Sequence, residues 1–207
     1  MDPVNWFAFV VASAVLLLIP GPTVLLVVSY ALTQGRKVAV AMATGVALGD
    51  FVAMTLSLAG LGALLATSAT LFTILKWIGA AYLVYLGVRL WRSKPFVSDP
   101  ASQAEPRPSR GVFGHAFVVT ALNPKGIAFF VAFVPQFIDS TQPILPQLII
   151  LEATFVGLAA ANAFLFALAA DQVRVRLRRP AMLTWMNRVG AGCLVGMGAA
   201  TAALNRS

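Results

Sequence analysis

Apolar residues run along the chain in blocks far longer than an amphipathic period requires, and the charges fall between the blocks. Residues 3–35, 51–75, 153–170 and 189–205 contain no Asp, Glu, Lys or Arg. Runs of that length predict transmembrane helices rather than the short strands or one-faced helices of a soluble domain. Read together with the helix breakers, the pattern predicts spans near 5–33, 38–65, 70–91, 112–138, 147–170 and 182–204. The first carries Pro20-Gly21-Pro22 and the fourth carries Asn123-Pro124, so both are expected to be broken. The expected class is therefore all-α and integral to the membrane, with six transmembrane helices.

Composition agrees: 59% of the 207 residues are hydrophobic and 11% are charged, against about a quarter charged in soluble domains. Six spans of about 20 residues leave no room for a separate extramembrane domain, so residues 1–207 are expected to form one transmembrane domain. A segment at about 92–111, rich in Pro, Ser and charge, reads as a linker between a first half at about 5–91 and a second at about 112–204. One cysteine, Cys193, excludes an intramolecular disulfide or CxxC relay, and one histidine, His115, excludes a multi-histidine metal centre. No metal or cofactor is expected.

The net charge of +8 could suggest nucleic acid, but the cations sit in alternate loops. Arg36 and Lys37 follow the first span; Arg92, Lys94, Arg107 and Arg110 follow the third; Arg174, Arg176, Arg178 and Arg179 follow the fifth. The loops near 66–69 and 139–146 contain no Lys or Arg. By the positive-inside rule the basic loops are cytoplasmic and both termini lie outside. Because the first basic residue is Arg36, the N-terminus lacks the n-region of a signal peptide, and the first apolar run is expected to be a true span.

The two halves echo one another. Ile78-Gly79-Ala80-Ala81-Tyr82-Leu83-Val84-Tyr85-Leu86-Gly87 aligns with Val189-Gly190-Ala191-Gly192-Cys193-Leu194-Val195-Gly196-Met197-Gly198, identical at five of ten positions. Gly45 precedes Asp50 by five residues as Gly157 precedes Asn162, and each half opens on a proline-broken span. Three spans per half would turn the second half upside down, giving two inverted three-helix repeats of the kind that build alternating-access transporters.

Pro20 and Pro22 remove the donors that would bond the carbonyls of Leu16 and Leu18. Such freed backbone is tolerated in a membrane only inside protein or beside water, so the break marks an interior position. Gly21 then caps a new half-helix that Pro22 and Thr23 begin, and Asn123 caps another that Pro124 and Lys125 begin. Both N-termini lie about 20 Å of helix from the cytoplasmic cations, hence deep in the bilayer. Their exposed N–H groups and positive dipole ends suit a carboxylate. Lys125 is a cation at a helix start, where the dipole disfavours it, and so asks for an anion: a substrate carboxylate, or Asp50, which is equally deep. A Lys125–Asp50 ion pair that merely holds the fold is the competing reading. Asn162, the counterpart of Asp50, could bond substrate or join helices. Glu152 is expected to face water or an interface, His115 to be solvated or to relay protons, and Trp6, Trp77, Trp91 and Trp185 to anchor span ends.

Pro20-Gly21-Pro22, Gly45-x-x-x-Gly49-Asp50, Gly79-Ala80-Ala81-Tyr82-Leu83-x-Tyr85-Leu86-Gly87 and Asn123-Pro124-Lys125, in that order over the whole chain, resemble the LysE/RhtB family. That resemblance implies a six-helix inner-membrane secondary transporter exporting amino acids or related metabolites, driven by the proton gradient, and not an enzyme. It also implies a homo-oligomer, with a dimer favoured, whose partners are the bilayer and a small amino-acid substrate rather than nucleic acid. The site expected on these grounds is Gly21, Pro22, Thr23, Asp50, Asn123, Pro124, Lys125 and Asn162, with Asp50 also carrying the coupling proton. A lone intramembrane carboxylate favours a neutral cargo over lysine or arginine. The alternatives are a channel or passive assembly subunit, or an exporter of some other cargo.

Overall fold

The structure is a computed structural model that describes residues 1–93, 108–139, 141–170, 172 and 180–203. The described residues are helical, with no strand among them. The first apolar run forms α1 (Pro3–Leu18) and α2 (Pro22–Gln34), meeting at 57°. Asp2 caps α1 through a bond from the Val4 N–H, and the two prolines end it because neither can donate to the turn before. Gly35, at φ 72°, turns the chain into a single 3-10 turn at Arg36–Val38. There a residue with a Cβ would be strained.

Helix α3 (Ala39–Thr67) and α4 (Ala69–Arg92) follow, separated by Ser68, whose hydroxyl accepts from the Leu71 N–H. The second half opens with α5 (Ser109–Ala121) and α6 (Pro124–Ala132), bent by 45°, and α6 runs on into a 3-10 turn at Val134–Phe137. Two longer helices complete the chain, α7 (Ile144–Leu168) and α8 (Pro180–Ala203). Most of the expected linker, and the basic cluster at Arg174–Arg179, lie outside the described residues.

Three single helices are long and apolar enough to cross a membrane, and each bent pair would be so as one span, giving up to five. The last helix falls short in hydropathy because Asn187, Arg188 and four glycines, at 190, 192, 196 and 198, dilute its apolar residues. Its length of about 36 Å nevertheless exceeds the roughly 30 Å hydrocarbon core. Large apolar side chains cover the outside: Val4, Leu56, Leu122, Leu145 and Leu165 are each more than 60% exposed. An apolar exterior on that scale belongs against lipid rather than water. This is a multi-pass membrane protein. Trp6, Trp77, Trp91 and Trp185 are all exposed; Arg188 stacks over Trp91 with its guanidinium 5.6 Å from the ring centroid.

Glycines set the closest helix contacts. A Cβ at Gly45 would stand 2.6 Å from the carbonyl oxygen of Phe113, and one at Gly49 2.8 Å from that of Phe117. Those two glycines let α3 lie directly on α5, which sets Asp50, the next residue, beside the start of α6. Helices α4 and α8 touch reciprocally: Gly87 lies on Ala191 and Val195, while Gly198 lies on Ala80 and Val84. By contrast, a Cβ at Gly157 would meet nothing within 4 Å, so the echo of Gly45 in the second half has no matching contact. The centre of the bundle is an aromatic cluster of Phe9, Phe129, Phe130 and Phe155, all fully buried.

Candidate functional site

Both breaks begin new helices where the sequence places them: Gly21 is the residue before α2 and Asn123 the one before α6. The Asn123 side chain accepts from the Lys125 N–H at 3.1 Å, occupying one of the open donors of α6. Gly21 has no side chain, so the first turn of α2 has no such cap and its N–H groups at Thr23 and Val24 stay available. Thr23 and Asn123 are joined directly, the Asn123 amide donating to the Thr23 hydroxyl at 3.3 Å. Thr23 also contacts the Thr120 hydroxyl at 3.4 Å. The two half-helix starts are thus locked together by a small polar cluster.

Lys125 reaches across this junction. Its Nζ donates to the carbonyls of Leu16 at 2.9 Å and Ile19 at 3.0 Å, and a Cβ on Gly21 would stand 3.5 Å from it. The Leu16 carbonyl is the one that Pro20 leaves without its helical donor. Asn162 does similar work one residue on, its amide donating to the Leu17 carbonyl at 3.4 Å. The expected partners of Lys125 were an anion or Asp50; the broken end of α1 is a further one. Sequence spacing could not reveal it, because the carbonyls come from a helix more than 100 residues away.

Asp50 is buried at 6% exposure and faces Gly126, where a Cβ would lie 3.9 Å from its Oδ1. It makes no hydrogen bond or direct ion pair among the described residues, although it and Lys125 attract one another. The fold-locking ion pair is therefore not formed by contact. Both residues line one cavity together with Gly21, Thr23, Asn123 and Asn162. Its volume of about 30 Å³ admits a water or two and no amino acid. Pro22 and Pro124 contribute backbone geometry as the first residues of α2 and α6.

Residues 14–204 match the family model described as LysE type translocator. The chain belongs to this family. Over 198 residues the translocator is 34% identical to an uncharacterized membrane protein of Vibrio cholerae, covering 96% of each chain. It is 32% identical over 194 residues to the homoserine/homoserine lactone efflux protein of Salmonella typhimurium, covering 94% of each. A leucine efflux protein of Enterobacter sp. (strain 638) is 37% identical over 135 residues, 65% of the translocator and 64% of that protein. No solved structure matches the translocator.

Other side chains wall the site or tie its helices together. Tyr30, fully buried on α2, pairs its hydroxyl with His115 Nδ1 at 2.9 Å, so the histidine joins α2 to α5 rather than being only solvated. Phe155 and Val27 wall the cavity; nothing but burial marks them. Glu152 receives the Thr55 hydroxyl across the α3–α7 contact instead of facing only water or an interface. Among the described residues no group of three or more His, Cys, Asp or Glu could hold a metal.

Proposed function

We propose that the translocator exports neutral amino acids or closely related metabolites across the inner membrane in exchange for protons. The convergence of Lys125, Asp50 and two half-helix N-termini on one buried cavity carries this reading. A zwitterion has two charges of opposite sign on one carbon, and the cavity offers matching groups: the uncapped N–H groups of α2 and the Lys125 ammonium for the carboxylate, Asp50 for the ammonium. Gly21, Pro22, Asn123 and Pro124 hold the helix starts in place, while Thr23 and Asn162 supply neutral hydrogen bonds. Among the described residues Asp50 has no hydrogen-bond donor of its own, so it can take either a proton or the substrate ammonium, and that exclusivity is the coupling.

The leucine efflux named for one relative supports a neutral cargo, as does the homoserine in the homoserine/homoserine lactone efflux named for another, whose lactone has no carboxylate to present. The reciprocal glycine contacts of α4 and α8 fit two inverted repeats within a single transmembrane domain: adding 111 to Gly87, Ala80 and Val84 gives Gly198, Ala191 and Val195, so each contact maps onto the other. Inverted halves would let the site open to either side in turn. In this reading six spans place both termini outside, the basic loops face the cytoplasm, and the working form is a homo-oligomer, a dimer, within the bilayer.

Purified translocator in proteoliposomes tests the proposal by counterflow of labelled leucine and homoserine, with and without an imposed pH gradient. Saturable counterflow, with net efflux accelerated by a proton gradient of the opposite direction, is the expected result. Linear, non-saturating flux would instead make the protein a channel. Counterflow indifferent to the pH gradient would remove the proton.

A further inference from the structure

A second and much larger cavity, about 860 Å³, lies between Asn5 and Ala12 of α1, the last turns of α3, the start of α4, and residues 132–139 and 141–144. The small Asp50–Lys125 cavity and this large one are joined by phenylalanine rings in series. Phe155, which walls the small cavity, contacts Phe129 with ring centroids 5.8 Å apart. Phe129 contacts Phe133 at 5.3 Å and Phe9 at 6.3 Å. Phe133 and Phe9 both meet Phe137 at 5.3 Å, and Phe133 and Phe137 wall the large cavity. Packed rings of this kind exclude water and close a passage without any polar group to desolvate.

Two of the helices that carry rings, α1 with Phe9 and α6 with Phe129, are the ones that Lys125 ties together. Lys125 stands one turn before Phe129 on α6, and its Nζ holds the end of α1, the helix that carries Phe9. We propose that the phenylalanine series is a plug between the substrate site and the large cavity, and that Lys125 is its latch. A substrate carboxylate that takes the ammonium away from the Leu16 and Ile19 carbonyls releases α1 from α6, and the rings part. This rests on the transport reading for its trigger but not for the plug itself. The large cavity is then the vestibule that receives cargo, and the short α6 transmits occupancy of the site to the plug as a rigid lever.

Thiol labelling tests both parts. Ala159 walls the small cavity and is buried, so Ala159→Cys in a Cys193→Ser background reports entry of a membrane-impermeant thiosulfonate. Asn5→Cys in the same background marks the face that holds the large cavity. From that face the cysteine at 159 should be protected, and Phe9→Leu with Phe137→Leu should raise its reaction rate at least about tenfold, as expected for losing the three ring pairs Phe9–Phe129, Phe9–Phe137 and Phe133–Phe137. Leucine should raise the rate in the otherwise unaltered chain, and 3-methylbutylamine, which lacks the carboxylate, should not. Unchanged protection in the folded leucine variants overturns the plug, and an equal effect of the amine overturns the latch. Should the double variant not fold, Phe137→Leu alone decides, since Phe137 is only partly buried. Ring-dependent protection without leucine counterflow would remove the transport reading and leave the plug standing.

Discussion

Lys125→Met separates two jobs that a buried lysine could have. If its purpose were to neutralise Asp50, then Asp50→Asn with Lys125→Met would leave no stranded charge and restore stability. The geometry gives another outcome. Methionine fills the space but donates nothing, so the Ile19 carbonyl loses its ammonium partner and the Leu16 carbonyl keeps only the shared bond from the Ile19 N–H at 3.3 Å. Two charge-assisted hydrogen bonds are lost, one with partial compensation, and the cost is about 2–5 kcal/mol. Asp50→Asn removes no hydrogen bond, so its cost is confined to the lost attraction to Lys125, offset by relief of a buried charge. The double variant should therefore remain destabilised by roughly the carbonyl cost, at least about 2 kcal/mol. Thermal and denaturant unfolding of the four purified proteins in one detergent measures this directly. A double variant as stable as the unaltered chain would refute the capping argument and reinstate the ion pair as the structural bond. The same double variant, if it folds, should neither bind nor counterflow substrate.

Gly45→Ala should destabilise by about 1–3 kcal/mol because its Cβ would run into the Phe113 carbonyl, whereas Gly157→Ala, with open space around it, should be neutral or gain up to about 1 kcal/mol of helix propensity; melting temperatures of the two variants check the contrast. Pro22→Ala, which leaves Pro20 in place, and Pro124→Ala should each restore one backbone donor and lessen the 57° and 45° breaks, covering part of the open N–H groups, so that counterflow falls with expression and insertion unchanged. Wild-type counterflow in both would dismiss the half-helix site. Reporter fusions at Pro100 and Arg178 should read cytoplasmic and a fusion after Ser207 external; a cytoplasmic C-terminus would overturn both the span count and the inverted repeat.

The breaks were legible because proline acts on its own turn. Pro20, Pro22 and Pro124 each forbid a particular backbone bond, and Gly21 and Asn123 are residues that begin helices, so the local chemistry names the positions of the caps unaided. Apolar run length likewise located the helices to within a few residues. What could not be read was anything set by the meeting of distant segments. The hold of Lys125 on α1, the Asn162 bond to Leu17, the Tyr30–His115 pair and the ring series from Phe155 to Phe137 all join residues whose neighbourhood is decided by packing. Phenylalanine in an apolar helix carries no signal that separates a core ring from a lipid-facing one. The repeat was visible as Gly79 against Gly190, but repetition in sequence does not guarantee repetition of contact, as open space around Gly157 shows.

The carbonyls at the end of α1 also bear on how the protein is made. Their side-chain partners lie 106 and 109 residues downstream at Lys125, and 145 residues downstream at Asn162. A segment that leaves the ribosome well before the fourth and fifth is therefore finished only after them. Until the fourth and fifth apolar segments have entered the bilayer, the first can hold its bend only with water or borrowed donors at the exposed carbonyls. Nascent chains cut short before Lys125 would carry an unsealed helix end within the lipid, a feature that membrane quality-control proteases could recognise, and translation pauses between the two halves would lengthen that exposure.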